Sequence, residues 1–259
     1  MAPIPGTQYE PTYAAAAYFV DQGLGVAGSL FSPGRPVWRP QSLIDLHARH
    51  ASAADTPGDG FDIRWARRLD GAPAGNVQLA AEIFYVHLLF ATDLSAKTKR
   101  RLIAETLAHS PDPPVVPAAL DMALDGGIAR TGMAFKLRRM SQLGLLIEAA
   151  HRWWQLSPRD RTAALDDPWT FKSWLRGVPH DGAQGQREAL LHLVHPATFE
   201  PIVSTGIKQR IVHALSRYVP AGVDDIDAAL AGIRIALERR HGHGFQFIDP
   251  AIACLWRIE

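Results

Sequence analysis

Cysteine is almost missing from this sequence: among 259 residues only Cys254 carries a thiol. One cysteine excludes an internal disulfide, and the lack of a Cys cluster excludes the zinc-finger, zinc-ribbon and iron–sulfur frameworks. That usage suits a reducing, cytoplasmic setting. Long apolar runs are lacking too. The stretch Ala14–Val20 is interrupted by Asp21 and is too short to span a bilayer, and the start Met1-Ala2-Pro3-Ile4-Pro5 has no basic leader region. Neither export nor membrane insertion is expected. Net charge is nearly absent at +1, so any attraction to nucleic acid must come from a local basic surface. Strand-like patterning is confined to Phe245-Gln246-Phe247-Ile248, and no internal repeat or low-complexity tract occurs.

What is present is helical periodicity and enough apolar residues, 47% of the chain, to fill a core without a metal or disulfide. The expected fold is mainly α, an irregular multi-helix domain with very little β structure. Residues 1–75 read as helices (Thr12–Leu24, Gln41–His50, Ile63–Leu69) joined by Gly/Pro-rich loops such as Pro33-Gly34-Arg35-Pro36 and Pro57-Gly58-Asp59-Gly60. Residues 76–259 read as a helical core region, either separate from the first part or continuous with it. It opens on a helix from Asn76 with so few polar positions that it must be buried on most sides. A helix capped by Ser95 follows, then Ala118–Leu124 and one long amphipathic helix over Thr131–Leu156. Shorter helices set off by Pro158 and Pro168 come next, and Gln184–Val194, Gly206–Tyr218 and Asp224–Arg240 complete the set.

Catalytic patterns are absent. Gly126-Gly127-Ile128-Ala129-Arg130-Thr131-Gly132 lacks the Lys-Ser/Thr pair of a phosphate-binding loop, and no strand precedes it as a dinucleotide fingerprint requires. No Gly-x-Ser-x-Gly elbow occurs, and Cys254 in Ala253-Cys254-Leu255-Trp256 is expected to be buried and inert. The pairs His47/His50, His192/His195 and His241/His243 could each offer two nitrogens to an ion, but no neighbouring Cys or carboxylate pattern completes a set. No metal or cofactor is therefore expected. Asp166/Asp167 and Asp224/Asp225 fit helix caps.

The basic clusters are the most informative feature. Residues 95–161 hold eleven Lys/Arg and six Asp/Glu, an excess of 11 − 6 = +5. Lys97, Lys99, Arg100 and Arg101 fall in the first turns of the Ser95-capped helix, where cations oppose the helix dipole by roughly 0.3–1 kcal/mol each. Helix stability does not account for them there; a phosphate site does. Lys136, Arg138 and Arg139 could extend the surface, with Trp153, Trp154, Trp169 and Trp174 offering stacking faces. The plainer readings are a solvated polar face for the charges and core packing for the rings.

Phe171-Lys172-Ser173-Trp174-Leu175, the run from Gln186 through His195-Pro196-Ala197-Thr198-Phe199-Glu200-Pro201-Ile202-Val203-Ser204, Lys208-Gln209-Arg210-Ile211-Val212 and the closing Phe245–Pro250 with Trp256 carry a resemblance. Together with Gln78–Tyr85 and the Lys97–Arg101 helix, this resembles the region upstream of the AAA+ motor in McrB-like proteins of modification-dependent restriction systems, over about two-thirds of the chain. The resemblance implies that the polypeptide continues past Glu259 into a nucleotide-hydrolysing ring motor, through which it would oligomerise. It also implies that this part recognises DNA or senses an invader while a separate nuclease subunit cuts. The chain is thus expected to be a non-enzymatic recognition module in antiviral defence, binding DNA through Lys97, Lys99, Arg100, Arg101, Lys136, Arg138 and Arg139. The alternative is a helical protein-interaction or regulatory module coupling the motor to the nuclease or sensing an invader protein.

Overall fold

A computed structural model describes residues 9–179 and 182–257. The opening stretch 1–5 and the last two residues lie outside them. Among the described residues the chain is mainly α, with fourteen α-helices and no strand. In order these are α1 (Glu10–Phe19), α2 (Pro40–Ser52), α3 (Phe61–Leu69), α4 (Ala74–Leu89), α5 (Ala96–Leu107), α6 (Ala118–Ala123) and α7 (Gly132–Leu137). Then follow α8 (Arg139–Trp153), α9 (Pro158–Asp166), α10 (Pro168–Arg176), α11 (Gln184–Val194), α12 (Thr205–Ala214), α13 (Ile226–His241) and α14 (Pro250–Ala253). None of these helices is long and apolar enough to cross a membrane.

The expected starts and stops hold where the local chemistry is explicit. Ser95 Oγ accepts from Thr98 N, Asp167 caps α10 through Trp169 N and Thr170 N, and Asp225 caps α13 through Asp227 N and Ala228 N. Pro at the first helical position opens α2, α9, α10 and α14. Two expectations fail. The helix predicted over Thr131–Leu156 is broken at Arg138, whose φ of −99° and ψ of 33° leave the helical region. Phe135 and Met140 are both buried, yet on one continuous helix they would point about 140° apart, and the break lets both pack. The run Phe245–Ile248 is a turn rather than a strand. Its Phe245 and Phe247 rings flank the Arg234 guanidinium at 4.4 and 5.2 Å, and no neighbouring strand pairs with it among the described residues.

Helix α4 is the axis of the fold. Fourteen of its sixteen residues are buried, and α1, α2, α5 and α8 pack around it. Such burial leaves no solvent for its polar side chains, so each needs an internal partner. Glu82, fully buried, accepts from Ser29 Oγ (2.6 Å), Leu30 N (2.9 Å), Phe31 N (3.1 Å), Trp38 Nε1 (2.7 Å) and Gln78 Nε2 (2.9 Å). After a π-helical turn, Val20–Gly25, that continues α1, the chain is irregular up to α2, and its backbone and side chains there are donors to this carboxylate.

Two apolar clusters result. One runs from Ala15 to Val203, across the 75/76 boundary that the Gly/Pro-rich loops suggested; the other, from Ile202 to Trp256, is built by α12, α13, α14 and the adjoining turns. Their seam is tied by buried charges. Lys172 on α10 reaches Asp225 and Asp227, both at 2.5 Å. Lys208 on α12 pairs with Asp227 at 2.6 Å and with Glu188 on α11. Within the second cluster Arg234 forms a two-pronged pair with Glu200.

Replacing Glu82 with alanine should strip four donors from the segment between α1 and α2 of their buried acceptor and cost about 3–5 kcal/mol. Urea denaturation should show this as a large drop in midpoint. A change below 1 kcal/mol would refute the anchoring role.

Candidate functional site

The expected phosphate site at the start of α5 is largely consumed inside the molecule. Lys99 points inward, fully buried, and its Nζ donates to Gly126 O. Burial pulls its pKa down to about 8 against the pull of Asp93 and Asp125. Arg100 is bound by Asp121 at 2.8 Å and Asp125 at 2.7 Å, and Arg101 by Glu105 at 2.7 Å one turn along its own helix. Three of the four cations that oppose the α5 dipole are therefore held within the chain, Arg100 by carboxylates around α6, Arg101 by Glu105 on α5 itself and Lys99 by a backbone carbonyl. Lys97 alone of that cluster is exposed with no ion pair among the described residues.

The second cluster divides in the same way. Lys136 pairs with Asp93 at 3.0 Å, and the Arg139 guanidinium lies over the Phe61 ring at 4.8 Å. Asp93 also accepts from Thr131 N, Thr131 Oγ1 and Gly132 N. Burial raises the Asp93 pKa, but these bonds and Lys136 outweigh it and bring it down to about 2. The carboxylate thus fixes the chain at the entry to α7. Gly127, in the stretch with glycines at phosphate-loop-like positions, has a packing role: a Cβ there would stand 2.4 Å from Ala91 O. It lets Ile128 N and Ala129 N reach Phe90 O.

Arg138 remains exposed and borders a groove of about 810 Å³ between α7 and α11 on one side and the Pro201–Ile207 segment on the other. Arg130 and Arg257, also exposed, share its rim. None of the three has an ion pair among the described residues, and no carboxylate is among the described residues lining the groove. Its floor includes Phe135, Ile202 and Val203, with Met133 and Ile248 left 67% and 44% exposed. The other six residues of the expected basic face do not line it.

Beneath the floor the His87 ring stacks flat on Phe135, 4.6 Å between centroids and 2° between planes. Its Nδ1 lies 2.7 Å from Gln186 Oε1, and Gln186 N donates to Gln142 Oε1 at 2.8 Å. Gln142 in turn lines the groove. Since Gln186 Oε1 can only accept, His87 carries its proton on Nδ1.

Histidines elsewhere are mostly structural. His192 is buried between Tyr13 Oη (2.9 Å) and Phe199 O (2.6 Å), and His195 Nε2 bonds Ala164 O at 3.1 Å. His243, largely exposed, approaches Glu238 at 3.2 Å. His47 differs: its partner is Glu148 at 2.5 Å, and its ring stacks on His151 at 4.4 Å. No pattern near His47 in sequence announces these residues, because they come from α8. Cys254, expected to be buried, is exposed. Of the tryptophans, Trp153 is fully buried with Nε1 on Leu24 O, Trp174 packs against it, and Trp169 is 39% exposed.

No protein-family model, curated protein or solved structure matches the chain.

Burial holds two histidines neutral, His87 down to about 3 and His192 down to about 4. Above pH 6.5 both rings are neutral in the folded and the unfolded chain and add no pH dependence. Below it the unfolded chain takes up protons that the folded chain excludes, so stability falls as pH drops from 6.5 toward those values, by up to about 1.4 kcal/mol per unit per ring. Urea midpoints should therefore drop markedly between pH 7.5 and 5, and His87→Gln should flatten the dependence. A flat wild-type profile would contradict the assignment.

Proposed function

We propose that the chain is a non-catalytic recognition module, the front end of a restriction-type AAA+ protein, and that it holds an unpaired DNA strand in the arginine-rimmed groove. The observation that carries this reading is the rim: Arg130, Arg138 and Arg257 are exposed over an apolar floor, with no carboxylate among the described lining residues. Guanidinium groups take phosphate oxygens in forked hydrogen bonds, and an apolar floor accepts sugar and base faces. This reading gives the basic contact to Arg138 and its groove neighbours, since Lys99, Arg100, Arg101 and Lys136 already have hydrogen-bond or ion-pair partners within the chain and Arg139 is half-buried against Phe61. The resemblance to McrB-like proteins supplies the rest of the reading, namely a downstream motor that oligomerises, a separate nuclease subunit and a cytoplasmic antiviral role.

Fluorescence anisotropy with a labelled 20-nucleotide single strand tests it. Binding at low salt should weaken steeply as salt rises, and Arg130→Ala with Arg138→Ala should lower the slope of log K against log salt by about 1.4, at roughly 0.7 per phosphate contact. Arg100→Ala with Arg101→Ala should leave the slope unchanged. No binding at 50 mM salt would rule the reading out.

A second reading, a protein-interaction module, is favoured by one observation: Met133 and Ile248 are exposed at the groove, and the one aromatic ring in its described lining, Phe135, is buried. An acidic segment with interleaved apolar residues, from the nuclease or an invader protein, suits such a surface. Under this reading Met133→Asp with Ile248→Asp abolishes nuclease capture, and the wild-type chain shows no affinity for DNA.

A further inference from the structure

We propose that His47, Glu148 and His151 form a site for a divalent transition metal ion of the zinc type, clamped between α2 and α8. One ligand atom from each of the three lies within 4.8 Å of the others. Glu148 and His151 stand three apart on α8 and share a face. His47 meets them across the interface that α2 makes with α8. An imidazole pair with one carboxylate is a ligand set zinc accepts, usually with water in the fourth position. The donors of such an ion stand about 3.4 Å from each other, given bond lengths of about 2.0–2.2 Å. Here His47 Nε2 and Glu148 Oε2 sit at 2.5 Å, held by a hydrogen bond, so an ion would part them by about 0.9 Å, and the His47 and His151 rings, stacked at 4.4 Å and 22°, would turn to bring both lone pairs onto it.

The surrounding contacts decide which lone pairs an ion could use. Arg152 binds Oε1 of Glu148, which leaves Oε2 for the ion. Gln155 Nε2 lies 3.0 Å from His151 Nε2 and donates to it as placed, while His151 Nδ1 is enclosed and has no hydrogen-bond partner among the described residues. An ion on Nδ1 requires the Gln155 amide to turn over, so that its oxygen accepts from Nε2–H, the arrangement by which an outer partner orients a ligating histidine. Side-chain exposure of 33% at His47 and 14% at Glu148 gives an ion a way in while shielding the carboxylate. Binding displaces any proton shared between His47 and Glu148 and joins two helices that border α4.

Calorimetric titration of the untagged chain with zinc chloride at pH 7.5 tests the site, with cobalt as a spectroscopic substitute. The expected result is one ion per chain, visible cobalt bands of a four-coordinate N/O site, and a melting temperature raised by about 3–5 °C at 100 µM zinc. His47→Ala, Glu148→Gln and His151→Asn should each lower affinity at least tenfold, while His243→Ala leaves it unchanged. Should His47→Ala fail to fold, Glu148→Gln and His151→Asn decide. Absence of binding, an affinity indifferent to these substitutions, or equal loss with His243→Ala would each overturn the proposal.

Discussion

A buried carboxylate with no ion pair among the described residues, Glu82, sets the terms for the first third of the molecule. It lies on a helix enclosed on nearly all sides, and an ionised group in such a place is tolerable only when several donors are aimed at it. Ser29, Leu30, Phe31 and Trp38 are those donors. The path of the chain between α1 and α2 is therefore dictated by one side chain on α4. Trp38 both seals the core beside Phe19 and donates to the anion, so the apolar and polar requirements are met by the same ring.

The same logic governs the charges that looked available from sequence. A run of lysine and arginine at a helix start suggests an external anion, but carboxylates elsewhere in the chain can serve equally well. Asp121 and Asp125 do so for Arg100, Asp93 for Lys136, and a backbone carbonyl for Lys99. Among the arginines with no ion pair among the described residues, Arg130 and Arg138, at either end of α7, and Arg257, near the end of the chain, share one rim.

This explains what the sequence reveals and what it conceals. Helix α4 is legible because almost every position is apolar, α11 because its pattern begins and ends cleanly, and α5, α10 and α13 because their caps lie within a few residues of their starts. Those signals are local. The break at Arg138 is not local, since it depends on where Phe135 and Met140 must pack. Neither is the fate of Phe245–Ile248, a strand-like run whose rings are claimed by Arg234. The meeting of His47 with Glu148 and His151 belongs to the same class, because one helix supplies the first and a helix far along the chain the other two.

The seam between the two apolar clusters has a consequence for the groove that opens beside it. Greasy faces can slide over one another with little change in energy, whereas Lys172 and Lys208 shared among Asp225, Asp227 and Glu188 define one register. The walls of the groove, drawn from α7 and α11 on one side and from Pro201 to Ile207 on the other, are thus set at a fixed spacing before anything binds. A ligand meets a preorganised surface, and little of its interaction energy is lost to ordering the protein.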